Sequence, residues 1–184
     1  MRADFALVLD ASVLANHPVA DLLLRLAEKP RLHLRRWSPQ ILEETLRTHL
    51  SRLRWPESIA SSFQEAIQSA FPEAMVHGLE PLIEACGNDL RDRQVLACAI
   101  HSNTELILTY NLADFPPSAL QPWAIRAEHP QDYLLMLHEL EPSRVLHQLL
   151  LIAHRRRLPL EDHLIELGRH LPRLAGRLLE SLEL

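Results

Sequence analysis

The chain has 184 residues, of which 47% are hydrophobic and 23% charged, and this composition suits one globular domain with or without a small appendage. A net charge of −5 excludes a global basic field, so any binding of nucleic acid needs a local patch. The first residues do not read as a signal peptide, and no charge-free stretch approaches membrane-spanning length. The two isolated cysteines, Cys86 and Cys98, favour a reducing cytoplasm.

The first part of the chain alternates between strand and helix patterns. The apolar run Phe5–Leu9 predicts a buried parallel strand, and Asp10 follows it directly. Ser38 and Pro39 are typical of a helix start, because serine caps a helix and proline fits its first turn. The other predicted elements are helices at Val19–Glu28, Pro56–Ala70 and Leu79–Cys86, and strands at Leu32–Arg36, Leu106–Thr109 and Trp123–Ala127. This alternation predicts an α/β layered fold with a parallel sheet.

The strand signal stops at Pro130. Four helices are predicted beyond it, at Gln131–His138, Ser143–Arg156, Leu160–Arg169 and Pro172–Leu182. We therefore divide the chain into an α/β domain, residues 1–129, and a helical C-terminal extension, residues 130–184. The extension is so rich in leucine that its short helices must bury apolar surface on the domain or on another chain, which favours self-association or a partner protein.

The stretch NDLRDRQVLACAI, residues 88–100, begins an apolar helix with two acids. Asp89 as the N-cap and Asp92 in the first turn would suit the unpaired backbone N–H groups and the positive end of the helix. However, ligands of parallel α/β sheets bind at the carboxyl ends of the strands. A helix that leads into the next strand starts near that edge, so both acids are expected there as well.

Five carboxylates from separate stretches are thus expected at one edge of the sheet. They are Asp10, Glu44, Asp89, Asp92 and Asp114. Like charges at short range raise one another's pKa and weaken the fold, and a divalent cation removes that repulsion. Clusters of carboxylate oxygens suit Mg²⁺ or Mn²⁺. The sequence therefore predicts a metal site at this edge.

Four stretches, in this order, resemble the PIN-domain family: VLDASVL, RRWSPQILEE, NDLRDRQVLACAI and ILTYNLADFP. The phrase RAEHPQDYLL further resembles a subgroup of bacterial VapC-like proteins that carry a helical tail. The resemblance implies a three-layer α/β/α sandwich with a central parallel sheet. It also implies metal-dependent hydrolysis of RNA, with an RNA substrate, a cognate antitoxin and a homodimer as partners.

The resemblance also implies roles for particular residues. The family's metal-binding and catalytic acids fall on Asp10, Glu44, Asp92 and Asp114, and Glu44 is selected over Glu43. Asp89, Asn111 and Ser12 fall on auxiliary positions. Arg91 and Arg93 flank the site, where they would contact substrate phosphates or simply relieve the repulsion between the acids. One metal ion and two both remain compatible with this set.

Other interpretations differ in class. A receiver-type module wants a lysine on a late strand, but the only lysine, Lys29, lies early; a haloacid-dehalogenase-type phosphatase wants an acid where Ser12 stands. A housekeeping RNA-processing nuclease would carry the same acids as a toxin. A catalytically silent PIN scaffold that binds partners is the non-enzymatic alternative. For Trp37 and Trp55 we expect core packing or helix docking rather than stacking on bases.

Overall fold

A computed structural model describes residues 5–182. Its centre is a sheet of four short strands in the order β2-β1-β3-β4, and every neighbouring pair is parallel. The strands are β1 (Ala6–Leu9), β2 (Leu34–Arg36), β3 (Leu106–Leu108) and β4 (Arg126–Glu128). The predicted α/β architecture with a parallel sheet is confirmed.

Helices surround the sheet. They are α1 (Ala11–Leu14), α2 (His17–Leu26), α3 (Pro39–Ser51), α4 (Glu57–Ala70), α5 (Glu80–Ile83), α6 (Arg93–His101), α7 (Pro117–Leu120), α8 (Pro130–Leu140), α9 (Pro142–Arg155), α10 (Leu160–Leu167) and α11 (Pro172–Leu182). None of the described helices is both long enough and apolar enough to cross a bilayer.

The strand order explains where a site can form. The chain runs outward from β1 to β2, then crosses back over β1 to β3 and continues to β4. Because parallel crossovers are right-handed, this reversal places α2 on one face of the sheet and α6 on the other. The connections that leave the carboxyl ends of β1 and β3 therefore run in opposite directions, toward β2 and β4 respectively. A crevice opens there at the carboxyl ends of the strands, which is where open α/β sheets bind ligands.

The helix α3 begins as the sequence predicts. The Ser38 side chain accepts a hydrogen bond from the backbone N–H of Ile41 at 3.2 Å, and Pro39 occupies the first turn. Ile41 and Leu42 of this helix are buried in the core. The cap therefore fixes the start of the helix that carries Glu44, one turn further along.

Three predicted boundaries are wrong. The helix α6 begins at Arg93 rather than near Asp89, with Asp92 at the cap position and no side-chain capping bond. The predicted helix at Leu79–Cys86 is only Glu80–Ile83. The strand predicted from Trp123 begins at Arg126, because Gln121–Trp123 forms a 3₁₀ turn and Ala124 has a left-handed backbone (φ 55°). In each case a local turn replaces regular structure that the apolar pattern alone had extended.

The C-terminal helices share the core of the α/β part. The helix α9 packs against α2, and α8 packs against both α9 and α11. Leucines of these helices are buried in the same cluster as the sheet: Leu134, Leu137, Leu149, Leu164, Leu167, Leu171, Leu174 and Leu178. Others remain exposed, namely Leu140, Leu150, Leu151 and Leu182. The chain therefore buries much of the leucine-rich surface on itself.

Candidate active site at the carboxyl edge of the sheet

Asp10 lies at the end of β1 and is almost fully buried. Its Oδ2 accepts hydrogen bonds from the hydroxyls of Ser12, at 2.6 Å, and Thr109, at 2.7 Å. Each hydroxyl in turn accepts a backbone N–H, from Tyr110 for Ser12 (3.2 Å) and from Asn111 for Thr109 (3.0 Å). Two hydroxyls on opposite sides of the β1–β3 crevice thus hold one carboxylate oxygen.

This arrangement fixes the direction of both hydroxyl protons. A hydroxyl has one proton to donate, and each hydroxyl lies closer to the Asp10 oxygen, at 2.6 and 2.7 Å, than to the other hydroxyl, at 3.5 Å. Burial raises the pKa of Asp10, and the bonds from Ser12 and Thr109 oppose that rise because they favour the charged form. The two hydroxyls thus favour the charged form of a carboxyl group whose ionisation burial opposes.

Asp92 lies at the start of α6 and is 8% exposed. No capping bond uses its side chain, so N-capping does not explain an acid at this position. Its pKa is raised to about 7, by burial first and then by the charges of four other carboxylates, namely Asp10, Asp114, Glu44 and Asp89. The five acids predicted to meet at this edge are therefore near enough to act on one another.

Glu44 reaches the edge from α3. Its Oε2 accepts a hydrogen bond from Nε2 of Gln94, on α6, at 3.1 Å. Burial, and then the charge of Asp10, raises the pKa of Glu44, while Arg47 and Arg52 oppose the rise. The neighbouring Glu43 is exposed. Of the two adjacent glutamates, Glu44 is thus the one whose side chain takes part in the cluster.

Asp114 and Asn111 belong to a tight turn beyond β3. The 3₁₀ turn Leu112–Asp114 is closed by a bond from the Asp114 N–H to the Asn111 carbonyl, at 3.0 Å. Asn111 therefore contributes its backbone, both here and to Thr109. The Asp89 N–H donates to the Asp114 carbonyl at 3.2 Å, and Asp89 Oδ1 accepts the N–H of Arg91 at 3.0 Å. Asp89 thus organises a loop that joins two parts of the edge, and it does not cap α6.

The two flanking arginines differ in setting. Arg91 is exposed, whereas Arg93 is half-buried and its Nε donates to the carbonyl of Asn88 at 3.4 Å. Sequence reasoning missed Thr109, Gln94 and Arg52, which touch or bias the acids. Thr109 ends an apolar strand beside Asp10, and only the pairing of β1 with β3 brings the two together. A threonine directly after a buried strand was the available signal.

The donor set fits a divalent cation by chemistry. Five carboxylates crowd one crevice, and their repulsion together with burial makes Asp92 hard to ionise. A hard cation with oxygen ligands cancels such repulsion. Among residues 5–182, no three His, Cys, Asp or Glu side chains are grouped closely enough to hold an ion as they stand.

Comparison with known proteins gives a relative of named function. No family model matches the chain. The chain is 42% identical over 89 residues to a protein of Mycobacterium tuberculosis (strain H37Rv) named "Putative ribonuclease VapC50". The aligned stretch covers 48% of this chain and 51% of that protein, so the chain matches about half the length of its relative. The predicted resemblance to VapC-like proteins is confirmed, and the fold is PIN-like.

Proposed function

We propose that the chain is a metal-dependent ribonuclease that hydrolyses RNA phosphodiester bonds, and that it is the toxin of a VapBC-type toxin–antitoxin pair. One observation carries the chemical part. Acids from four separate segments meet at the β1–β3 crevice, and their repulsion contributes to raising the pKa of Asp92 to about 7. The relative named as a VapC ribonuclease supports the biological part.

Asp10, Glu44, Asp92 and Asp114 would hold Mg²⁺ or Mn²⁺. A bound divalent ion of this kind lowers the pKa of its water and screens the charge that develops on the scissile phosphate. Binding would draw the carboxylates together, because the repulsion that keeps them apart is then removed.

The residues of the chain have distinct tasks in this proposal. Ser12 and Thr109 would orient the Asp10 carboxylate and favour its charged form. Gln94 holds Glu44 through an amide that carries no charge. Asp89 ties the loop before α6 to the turn of Asp114. The acids therefore present their oxygens from supports that are themselves hydrogen-bonded.

The remaining proposals follow from this function. Arg91, which is exposed beside the acids, would contact substrate phosphates, and Arg93 would support the Asn88 loop. A cognate antitoxin would cover the acid edge of the nuclease domain (residues 1–129). The exposed leucines of the C-terminal extension (residues 130–184) would form the contact of a homodimer. A reducing cytoplasm suits Cys86 and Cys98, which are both buried free thiols.

The test is cleavage of total RNA by the pure protein, with Mn²⁺ or with EDTA, followed by mapping of the cut ends. Glu44→Gln and Glu43→Gln form a matched pair, because the residues are adjacent and only the first lies in the cluster. We expect Glu44→Gln to lose at least about tenfold in rate and Glu43→Gln to cleave like the parent. Cleavage that persists in EDTA, or equal rates for both variants, would contradict the proposal.

A further inference from the structure

A pocket of about 480 Å³ opens directly beside the acids. Its lining includes Glu44 of the acid cluster, together with Ser12 and Asn111. The rings of His17, Trp55, Tyr110 and His170 also line it, as do Asn16 and Arg52. A strand of substrate whose phosphate reached the acids would therefore have room for a neighbouring group in this pocket.

Trp55 is held as a rigid platform. Its ring stacks on the His49 imidazole with centroids 4.0 Å apart and an interplanar angle of 5°, and the backbone N–H of Trp55 donates to the His49 carbonyl at 2.9 Å. Phe63 meets the indole edge-on at 6.3 Å. His49 is fully buried, and burial lowers its pKa, which favours the uncharged imidazole. An aromatic platform held on one side and half-buried at a pocket wall suits stacking by a flat ring.

The polar groups of the pocket match a nucleotide. Asn16 Nδ2 donates to the Tyr110 hydroxyl at 3.0 Å and lies 3.1 Å from Nδ1 of His170. Asn16 Oδ1 is buried and, among the described residues, has no hydrogen-bond partner. A buried acceptor is costly when unpaired, and an N–H of a nucleobase would satisfy it. Arg52 is exposed nearby and its charge already acts on Glu44, so it is placed for a phosphate.

His170 comes from the C-terminal extension, in the turn between α10 and α11. Its contact with Asn16 joins positions 154 residues apart. The extension therefore forms one wall of the pocket, in addition to covering the core.

We propose that this pocket is a nucleobase subsite. A base next to the scissile phosphate stacks on Trp55 and donates an N–H to Asn16 Oδ1, and His170 of the extension forms part of the pocket wall. The inference rests on the proposed ribonuclease function for its biological meaning. Its chemistry, an aromatic platform with an unpaired acceptor and an adjacent cation, is independent of cleavage.

The test uses nucleoside monophosphates, which have no phosphodiester bond to cleave. The chain has three tryptophans, so a ¹⁵N spectrum of the full-length protein in Mg²⁺ shows three indole N–H signals, and Trp55→Phe assigns one of them. We expect the nucleotides to shift the Trp55 signal. The signals of Trp37, which is buried, and of Trp123, which does not line the pocket, should stay unchanged. Ribose 5-phosphate, which lacks a base, should not shift the Trp55 signal.

A second measurement concerns affinity for short single-stranded RNA. Trp55→Ala should weaken binding about 5-fold to 150-fold, because base–aromatic stacking is worth about 1–3 kcal/mol. Trp55→Phe, which keeps a ring on His49, should retain more of the affinity, and its melting temperature shows that the loop still folds. His170→Ala should weaken binding, whereas His154→Ala, an exposed histidine of the same extension, should not.

The outcomes separate this inference from the proposed function. Selective shifts of the Trp55 signal in a protein that cleaves no RNA would support the subsite and refute the nuclease. Cleavage of RNA with no response of the Trp55 signal, or the same response to ribose 5-phosphate, would refute the subsite and leave the nuclease standing.

Discussion

At the scale of single residues, the site depends on how each carboxylate is held. Asp10 has two hydroxyl donors that oppose the effect of burial, whereas burial and the neighbouring acids both act to keep Asp92 protonated. Two acids in one crevice are thus held by different interactions. This difference allows each of them to be tested by a separate experiment.

The metal-free protein should lose stability as the pH rises, because of Asp92. Its pKa is raised from 3.8 to about 7, so between these values the native state binds a proton that the unfolded chain has released. The contribution of Asp92 to stability is therefore fully present below pH 3.8, and it is lost as the pH rises from there to about 7. Asp92→Asn should remove that loss, with a gain of at most about 4 kcal/mol at about pH 8 and almost none at about pH 4.

Urea unfolding in EDTA at the two pH values measures this gain, and RNA cleavage in Mn²⁺ should be abolished in the same variant. Asp162→Asn, on the exposed side of α10, is the control and should change neither property. A variant that is less stable than the parent at the higher pH would show that Asp92 is stabilising, contrary to the repulsion argued here.

Thr109→Val should weaken metal binding. The substitution removes one of the two donors that favour ionised Asp10 while nearly keeping the volume of the side chain. Losing one hydrogen bond to a charged group costs about 1.5–3 kcal/mol, which corresponds to about tenfold or more in the affinity for Mn²⁺. Thr104→Val is the control, since Thr104 is equally buried but bonds to Ser102.

Titration calorimetry with Mn²⁺ measures both affinities. The melting temperature of the parent should rise with Mn²⁺, and that of Thr109→Val should rise less at the same concentration. If the two threonine variants bound Mn²⁺ equally well, Thr109 would have only a structural role.

Residue-scale prediction from the sequence had a clear limit. The acids were found because acidic residues at the ends of strands and at helix starts are visible in one dimension. Thr109 and Gln94 were missed because their roles depend on contacts between distant segments. The residue that follows β3 lies beside Asp10, and Gln94 of α6 faces Glu44. Such contacts are decided by the packing of the whole chain, and the composition of one segment does not reveal them.

At the scale of elements, short pieces position the site. Three of the four strands have only three residues. Loss of pairing at one residue would therefore remove a third of such a strand and would displace the acids at its carboxyl end. Strand lengths were predicted too generously because apolar residues continue into the flanking turns, as at Trp123 and Ala124. Helix α3 was predicted well because Ser38 and Pro39 mark its first turn with side chains of known preference.

Ser38→Ala should destabilise the protein by about 1 kcal/mol, because the N–H of Ile41 loses its acceptor at the start of α3. The control is Ser51→Ala at the exposed end of the same helix, where the hydroxyl donates to the Arg47 carbonyl; its effect should stay within about 0.5 kcal/mol. Urea denaturation followed by circular dichroism compares the two. Equal effects would mean that the cap does not anchor the helix of Glu44.

At the scale of the whole molecule, the helices beyond Pro130 and the sheet share one core. The sequence predicted that the leucine-rich extension needs a surface to cover, but it could not say which surface. The structure adds α2 as a packing partner, through α9. The division at residue 129 thus describes a change in secondary structure, with apolar packing continuous across it.

Leu149→Ala, in α9, should destabilise the α/β part as well as the extension. Leu149 is fully buried, and such a truncation costs about 2–5 kcal/mol. All three tryptophans precede residue 130, so tryptophan fluorescence reports on the α/β part while the mutation lies outside it. We expect the fluorescence transition to shift to lower urea, together with the transition seen by circular dichroism.

The neighbouring Leu150→Ala is the matched control, because Leu150 is 46% exposed and its loss leaves little cavity. A fluorescence transition that stayed in place in Leu149→Ala, while the circular dichroism transition split in two, would show that the extension unfolds independently.

The parallel pairing of β1 with β3 also determines when the site can form during synthesis of the chain. Asp10 and the Thr109 hydroxyl that holds it are 99 residues apart, and the strand between them in sequence lies on the outer side of β1. Asp10 and Glu44 are therefore synthesised well before their hydrogen-bond partners, Thr109 and Gln94. For the ribonuclease proposed here, which is made among messenger and ribosomal RNA, the order of synthesis postpones activity until the third strand has inserted.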